Sequence, residues 1–269
     1  MSSRSPTTRL ASAKSKVAND SGTWEHHTGH LKVIDAAGSV VADRIDPADY
    51  RKWLGEATNR DSYLKSPYWK PAVADGAPVV DGMYRVGPLA RINMANSMGT
   101  PLADEALTGF RDRVGGVAHS SFHYHHARLI EILACTERIE SLIGDPALLD
   151  QRVRAQAGIN RTRAVGVSEA PRGTLFHDYE VDTNGVLTDV NMIIATGQNN
   201  LGMNATVAQI AREWITGPVI EESTLNRIEA GIRAYDPCLS CSTHAIGAMP
   251  MVVTLEDASG RELCSATRG

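Results

Sequence analysis

Asp236-Pro237-Cys238-Leu239-Ser240-Cys241-Ser242-Thr243-His244 places two thiols and an imidazole within seven residues, Cys238 to His244. Cys238 and Cys241 are three apart and His244 three further on. One turn of helix, or a tight turn, can therefore aim two sulfurs and a nitrogen at a single point, which is metal-ligand spacing. Asp236-Pro237 suits the start of a helical turn, with Asp as cap and Pro at the first position, where its missing N–H costs nothing. A thiol at a helix N-terminus meets partial positive charge, which favours the thiolate. Haem attachment needs His directly after the second Cys, and here Ser242-Thr243 intervene. A thioredoxin-like pair would follow a strand, whereas 220–235 has a helical pattern, with Ile220, Leu225, Ile228 and Ile232 on one side. Zinc would need a fourth ligand from elsewhere. From these residues alone, a metal site and redox or structural cysteines both stay open.

The bulk composition narrows the class. With 269 residues, 42% of them hydrophobic, the chain can build a substantial core as one large domain or two small ones. A formal charge of −4 gives no nucleic-acid footprint. Four cysteines, Cys135, Cys238, Cys241 and Cys264, are too few and too unevenly placed for a disulfide scaffold, so a reducing compartment is expected. No apolar run reaches the roughly 18 residues that a membrane span needs. The expectation is a soluble, cytoplasmic protein. Residues 1–20 carry Arg4, Arg9, Lys14 and Lys16 with no acid before Asp20. That composition is transit-peptide-like, but no continuous amphipathic face is evident, so 1–22 is expected to be a disordered leader.

Along the chain, 30–35 and Val40–Ile45 alternate around Ala36-Ala37-Gly38 as a β-hairpin. Residues 46–56 suit a short helix capped by Asp46, with Pro47 at its first position. The aromatics of 63–72 suit a core or subunit interface. Residues 83–86 read as a strand broken by Gly87-Pro88, and Pro101–Val114 as a helix stopped by Gly115-Gly116. Residues 119–143 predict a core helix through Leu129, Ile132, Leu133, Ile139, Leu142 and Ile143, with Cys135 as a small buried hydrophobe. The histidines at its start, His119, His123, His125 and His126, suit solvated or hydrogen-bonded roles better than metal ligation. After a polar connection at 144–163, strands at 174–181 and 189–196 form a hairpin on Asp182-Thr183-Asn184-Gly185. Helices follow at 205–216 and 220–235, then a weak hairpin of Met251–Glu256 with 262–264.

Arg-Ala-Tyr-Asp-Pro-Cys-Leu-Ser-Cys-Ser-Thr-His at 233–244 resembles the C-terminal metal-binding motif of nickel-iron hydrogenase large subunits. The same resemblance is carried, in the family's order, by Tyr-Arg-Val-Gly-Pro-Leu-Ala-Arg-Ile-Asn at 84–93, Glu-Ala-Pro-Arg-Gly at 169–173 and Asn-Met-Ile-Ile-Ala-Thr-Gly-Gln-Asn at 191–199. It runs from about residue 23 onward and looks most like the cytoplasmic, cofactor-coupled members. What it implies is an α-rich α+β fold and the reversible heterolytic cleavage of H2 into hydride and proton. The implied cofactors are a nickel-iron centre, whose iron carries diatomic ligands, and a nearby magnesium ion.

By motif position, the resemblance implies that Cys238 is a terminal nickel ligand and that Cys241 bridges nickel and iron. His244 and the backbone carbonyl of Met192 would hold the magnesium, Ala170-Pro171 would line the pocket for the diatomic ligands, and Thr196 would hydrogen-bond a cyanide. Arg172 would stand over the bimetallic centre. Cys238 thiolate is the first candidate base and Arg172 the second, since arginine is almost always protonated. Implied partners are an iron-sulfur small subunit, a diaphorase or other cofactor-reducing module, and a maturation endopeptidase that cuts after His244 and removes 245–269.

The family builds its centre from four cysteines, two of them in an N-terminal Arg-x-Cys-Gly-x-Cys motif. No cysteine precedes Cys135 here. The resemblance therefore implies the C-terminal half of a large subunit, region 23–244, inactive by itself. Two other classes compete with this reading. One is a non-catalytic assembly protein like the family's relatives in respiratory complex I, and the other is a zinc-binding structural domain.

Overall fold

A computed structural model describes residues 9–14, 22–26, 29–60, 62–154, 158, 161–238 and 250–268. The first sheet contains β1 (Arg9–Lys14), β2 (His30–Ile34), β3 (Val40–Ile45) and β6 (Tyr84–Arg85), in the order β3-β2-β1-β6. Its β2–β3 hairpin is the one the alternation predicts. Asp35 shapes the turn, its Oδ1 accepting from the N–H groups of Ala37 and Ser39 at 2.9 Å each. Strand β1 departs from the leader expectation, because residues 9–14 pair antiparallel with β2 and parallel with β6.

Asp46 does cap a turn, accepting from Ala48 N with Pro47 behind it, but the helical stretch is short. It ends with α1 (Tyr50–Trp53), and the chain then enters β4 (Leu54–Asn59), which pairs antiparallel with β5 (Ser62–Trp69). Sheet pairing outcompetes helix here, and Trp53 and Trp69 stack with centroids 5.2 Å apart. Trp69 is buried, so this aromatic serves a core.

Next come α2 (Pro88–Met94), α3 (Pro101–Val114) and α4 (His123–Ile143). Gly115 closes α3 in the left-handed conformation, as its place after the last apolar residue predicts. Helix α4 begins later than expected and turns a different face inward. Its buried residues are Tyr124, Ala127, Ile130, Glu131 and Ala134. Leu129, Ile132, Ile139, Leu142 and Ile143, read above as the core stripe, are exposed. Periodicity finds an apolar stripe but does not say what covers it, and small residues that let helices approach closely leave a weaker signal. Leu133 and Cys135 are partly buried against the core, and burial raises the Cys135 thiol above its ordinary value.

A three-stranded sheet follows, β7 (Arg163–Ala170), β8 (Gly173–Val181) and β9 (Leu187–Ile193), in sequence order and antiparallel throughout. Strand β7 adds to the hairpin expected from sequence, where Gly166 and Ser168 dilute its apolar alternation. Helices α5 (Ala195–Gln198), α6 (Asn200–Trp214) and α7 (Glu222–Ala234) come next, and the hairpin of β10 (Met251–Glu256) and β11 (Glu262–Arg268) comes last. Arg268 reaches α7, with its guanidinium on Asn226 and 3.5 Å from Glu229.

The α+β expectation holds, as helices pack with small sheets around two larger cores and a small third cluster of Ile34, Ala90 and Met94. Leu89, Ile92, Met98, Leu107, Phe110, Tyr124, Ile130 and Tyr235 form the helical one. Leu31, Val33, Tyr50, Leu54, Trp69, Tyr84, Val86, Phe176 and Ile193 form the sheet-side one. Each fully buried side chain of this kind contributes about 1.5–3 kcal/mol. The segment from Tyr84 to Met94 belongs to both cores, so it is a rigid divider against which other segments are placed.

Candidate metal centre

Helix α7 delivers the cysteine segment, and its end is fixed by three elements. Tyr235 donates its hydroxyl to Gly202 O at 3.1 Å and lies 2.9 Å from Thr206 Oγ1 and 3.1 Å from Ser121 Oγ. Arg128 donates to Ala234 O at 3.2 Å, placing a cation where the helix presents its carbonyls. Gly231 allows close α6–α7 packing, since a Cβ there would come within 2.8 Å of Ile210 Cδ1.

The chain then turns sharply. Asp236 has φ +53 and donates its N–H to Arg233 O, so it terminates α7 in the left-handed conformation. The expected helix cap at Asp236 is therefore corrected, because a cap residue keeps an extended backbone. Asp tolerates the left-handed region better than most residues, and the cost of order 1–2 kcal/mol is met by contacts at both ends of the residue. Arg172 Nε donates to Asp236 O at 2.7 Å and lies 3.3 Å from its Oδ2. Two residues on, Cys238 N donates to Thr196 Oγ1 at 3.1 Å. That hydroxyl keeps its own proton to donate elsewhere. Cys238 is half-buried. Cys241 and His244 lie outside the described residues.

Thr196 was expected at a strand end and instead sits in α5, whose neighbours tie it to the divider. Val86 N donates to Asn199 Oδ1 at 3.0 Å, and Tyr84 Oη donates to Gln198 Oε1 at 3.1 Å. The Ala170–Gly173 turn is pressed against the same divider. Gly87 has φ +97, and a Cβ there would come within 2.6 Å of Arg172 O. Gly173 has φ +137, and a Cβ there would strike Val86 at 2.3 Å. Only glycine permits both approaches. Tyr124 Oη donates to Val86 O at 2.9 Å from the other side, and burial pushes that phenol well above its ordinary value.

Sequence reasoning quoted Arg91 within a motif and gave it no role. Its guanidinium is buried and makes five hydrogen bonds. It is bidentate on Glu131 at 2.6 and 2.7 Å, then reaches Glu169 Oε2 at 2.8 Å, Ala170 O at 2.9 Å and Pro171 O at 3.0 Å. Burial works against its charge, and the two glutamates outweigh it, holding the group above the ordinary arginine value. The available signal was Arg91 inside the apolar run Leu89-Ala90-Arg91-Ile92. A charge that a helix must bury has to be paired.

The structure thus sets Ala170, Pro171 and Arg172 directly on the divider, and joins Cys238 to it through Thr196 and the neighbouring Gln198 and Asn199. Met192 lies on β9 opposite His177, half-exposed, with Tyr179 Oη 3.8 Å from its sulfur. Among the described residues, no cluster of three or more His, Cys, Asp or Glu side chains is arranged to hold a metal ion by itself. His123 and His126 instead meet Phe110 edge-on, at 5.6 and 4.9 Å between centroids.

Residues 22–244 match the nickel-dependent hydrogenase family. The beta subunit of the NAD-reducing hydrogenase HoxS from Cupriavidus necator is 43% identical, over 91% of this chain and 50% of that protein. An NAD+-reducing NiFe-hydrogenase crystallised in its H2-reduced state superposes with a TM-score of 0.79 at 42% identity, covering 88% of this chain and 51% of that one. The NiFeSe hydrogenase of Desulfovibrio vulgaris Hildenborough shares the fold, with a TM-score of 0.56 at 18% identity over 88% of this chain and 52% of that one. The chain spans about half the length of the relatives it matches. The match over residues 22–244, together with the gathering of 169–173, 191–199 and 233–238 around the Tyr84–Met94 divider, places the chain in the nickel-dependent hydrogenase family.

Proposed function

We propose that this chain supplies the C-terminal thiolate pair of a nickel-iron centre in a hydrogenase that cleaves H2 reversibly and heterolytically. The observation that carries the reading is the double anchoring of the turn before the thiols, by Arg172 at Asp236 and by Thr196 at Cys238. The donor chemistry fits the group, because thiolates suit nickel and can bridge two metals. A guanidinium near the turn also favours thiolate over thiol. When bound, the bimetallic centre supplies Lewis-acid polarisation of H2.

The chain's own residues do the rest. Cys238 and Cys241 would hold the metals, and Cys238 Sγ would be the first candidate to accept the proton. Arg172 acts through its position and charge, with Nε committed to Asp236. Thr196, whose hydroxyl keeps a proton to donate, would hydrogen-bond a cyanide on the iron, and Ala170 and Pro171 would line the space for the diatomic ligands. His244 and the Met192 carbonyl would hold magnesium. The two further thiolates come from polypeptide outside these 269 residues.

Electrons leave through an iron-sulfur partner subunit. The NAD-reducing relatives support a diaphorase module as the further acceptor. No helix among the described residues is long and apolar enough to cross a membrane. The matched relatives are hydrogenases, which favours neither an assembly protein nor a zinc domain. The family match ends at residue 244, which supports a separate extension at 245–269 removed by an endopeptidase. The test is H2-dependent reduction of a viologen dye by the complex purified with this chain. Activity that is lost with Cys238→Ala supports the reading. Activity that survives that change removes Cys238 from it.

A further inference from the structure

The buried guanidinium of Arg91 spends its whole hydrogen-bonding capacity in one place. Arginine has five N–H groups. Nε and one Nη2 hydrogen go to Glu131, the other Nη2 hydrogen to Pro171 O, and the two Nη1 hydrogens to Glu169 and Ala170 O. Two successive backbone carbonyls are thus drawn to the same planar group. The next residue in the chain is Arg172, whose guanidinium meets both the backbone carbonyl and the carboxylate of Asp236.

We infer that Arg91 is a positioning residue, which sets the Arg172–Asp236 contact and through it the turn that carries Cys238. The route is short and rigid. Helix α2 is buried on almost every side, so Arg91 has a fixed base. Glu131 reaches it from α4 and Glu169 from the end of β7, and Thr174 Oγ1 holds the second oxygen of Glu169 at 2.6 Å. Gly87 and Gly173 let the Ala170–Gly173 turn sit directly on the divider, so the carbonyls of Ala170 and Pro171 have one place to go. Lysine cannot reproduce this, because an ammonium has three donors at one point and no planar fork.

The inference rests on the hydrogenase reading for its catalytic consequence, but its geometric half does not. Hydrogen-deuterium exchange of the complex purified with this chain, wild type against Arg91→Lys, reads the geometry without reference to metal. The amides of 172–176 and of Tyr235, Asp236 and Cys238 should exchange about tenfold faster, with those of α3 unchanged. In the same preparation, turnover with H2 should fall about tenfold with KM and nickel content unchanged. Glu169→Gln keeps the Arg91–Glu131 pair and should give the same local pattern at about threefold, which covers a failure of Arg91→Lys to fold.

Uniform acceleration across the chain, or none at 235–238, would show Arg91 to be a fold determinant only. Local acceleration with undiminished turnover in an active wild-type complex would also overturn the positioning role. A wild-type complex without H2 activity would sink the hydrogenase reading, and the exchange result would still decide whether Arg91 sets the Arg172–Asp236 contact.

Discussion

Arg172 binds the residue two positions before Cys238, donating Nε–H to Asp236 O at 2.7 Å while its guanidinium lies 3.3 Å from the Asp236 carboxylate. One side chain on the β7–β8 turn therefore holds both the backbone and the side chain of a left-handed residue. Arg172→Lys keeps the charge and loses the fork. Nickel should be retained, with turnover reduced about tenfold or more. Full activity in that variant would make Arg172 a structural residue.

Thr196 offers a second handle on the same turn. Thr196→Val keeps the shape and removes the oxygen that accepts from Cys238 N. An N–H left without its acceptor costs about 1–3 kcal/mol where water cannot replace it. The expected result is weaker nickel retention with a near-normal melting temperature, read by elemental analysis and thermal unfolding. Unchanged nickel retention would contradict a role for that bond.

Much of this was legible in the sequence, in the places where local chemistry decides structure. Helix α3 has the bounds that Pro101 and Gly115 predict, and the Asp35 and Asp182 turns close their hairpins. The residues of the four motifs were visible too, but not what joins them. Arg91 contacts Glu131 and Glu169, which are 40 and 78 residues away in the chain. No local pattern encodes such a meeting. The inward face of α4 was misread for a related reason, since Ala127, Ala134 and Glu131 are buried while Leu129 and Ile143 are exposed. Burial depends on which neighbour is present, whereas periodicity reports only composition on a face.

That exposed stripe predicts behaviour in solution. Leu129, Ile132, Ile139 and Ile143 repeat along one side of α4, with Leu129 64% and Ile143 72% exposed. Contiguous apolar patches of this kind drive association. The isolated chain should aggregate, and Leu129→Lys with Ile139→Lys should raise its soluble fraction while costing under about 0.5 kcal/mol each. Light scattering on both proteins checks this. Equal aggregation would locate the cause elsewhere.

Acid should loosen the sheet-side core first. Asp178 is buried and accepts from Arg163 and from Tyr50, and the Arg163 bond holds its carboxyl below the ordinary value. A depressed carboxyl contributes stability that is present above its unfolded value of about 3.9 and is lost as pH falls through the folded one. The stability difference between wild type and Asp178→Asn should stay constant from neutral pH to about pH 5 and shrink below about pH 4. A difference that grows toward low pH would reverse the assignment.

The most direct test is the nickel and iron content of the complex purified with this chain from its native host, measured for wild type, Cys238→Ala and Cys241→Ala. Losing one thiolate leaves the remaining ligands under-coordinated. The wild-type complex should hold nickel and iron in equal amounts at its hydrogenase centre, and each variant should lose the nickel while keeping the iron of the partner's clusters. Nickel retained at the wild-type level in both variants would contradict the claim that Cys238 and Cys241 build the centre.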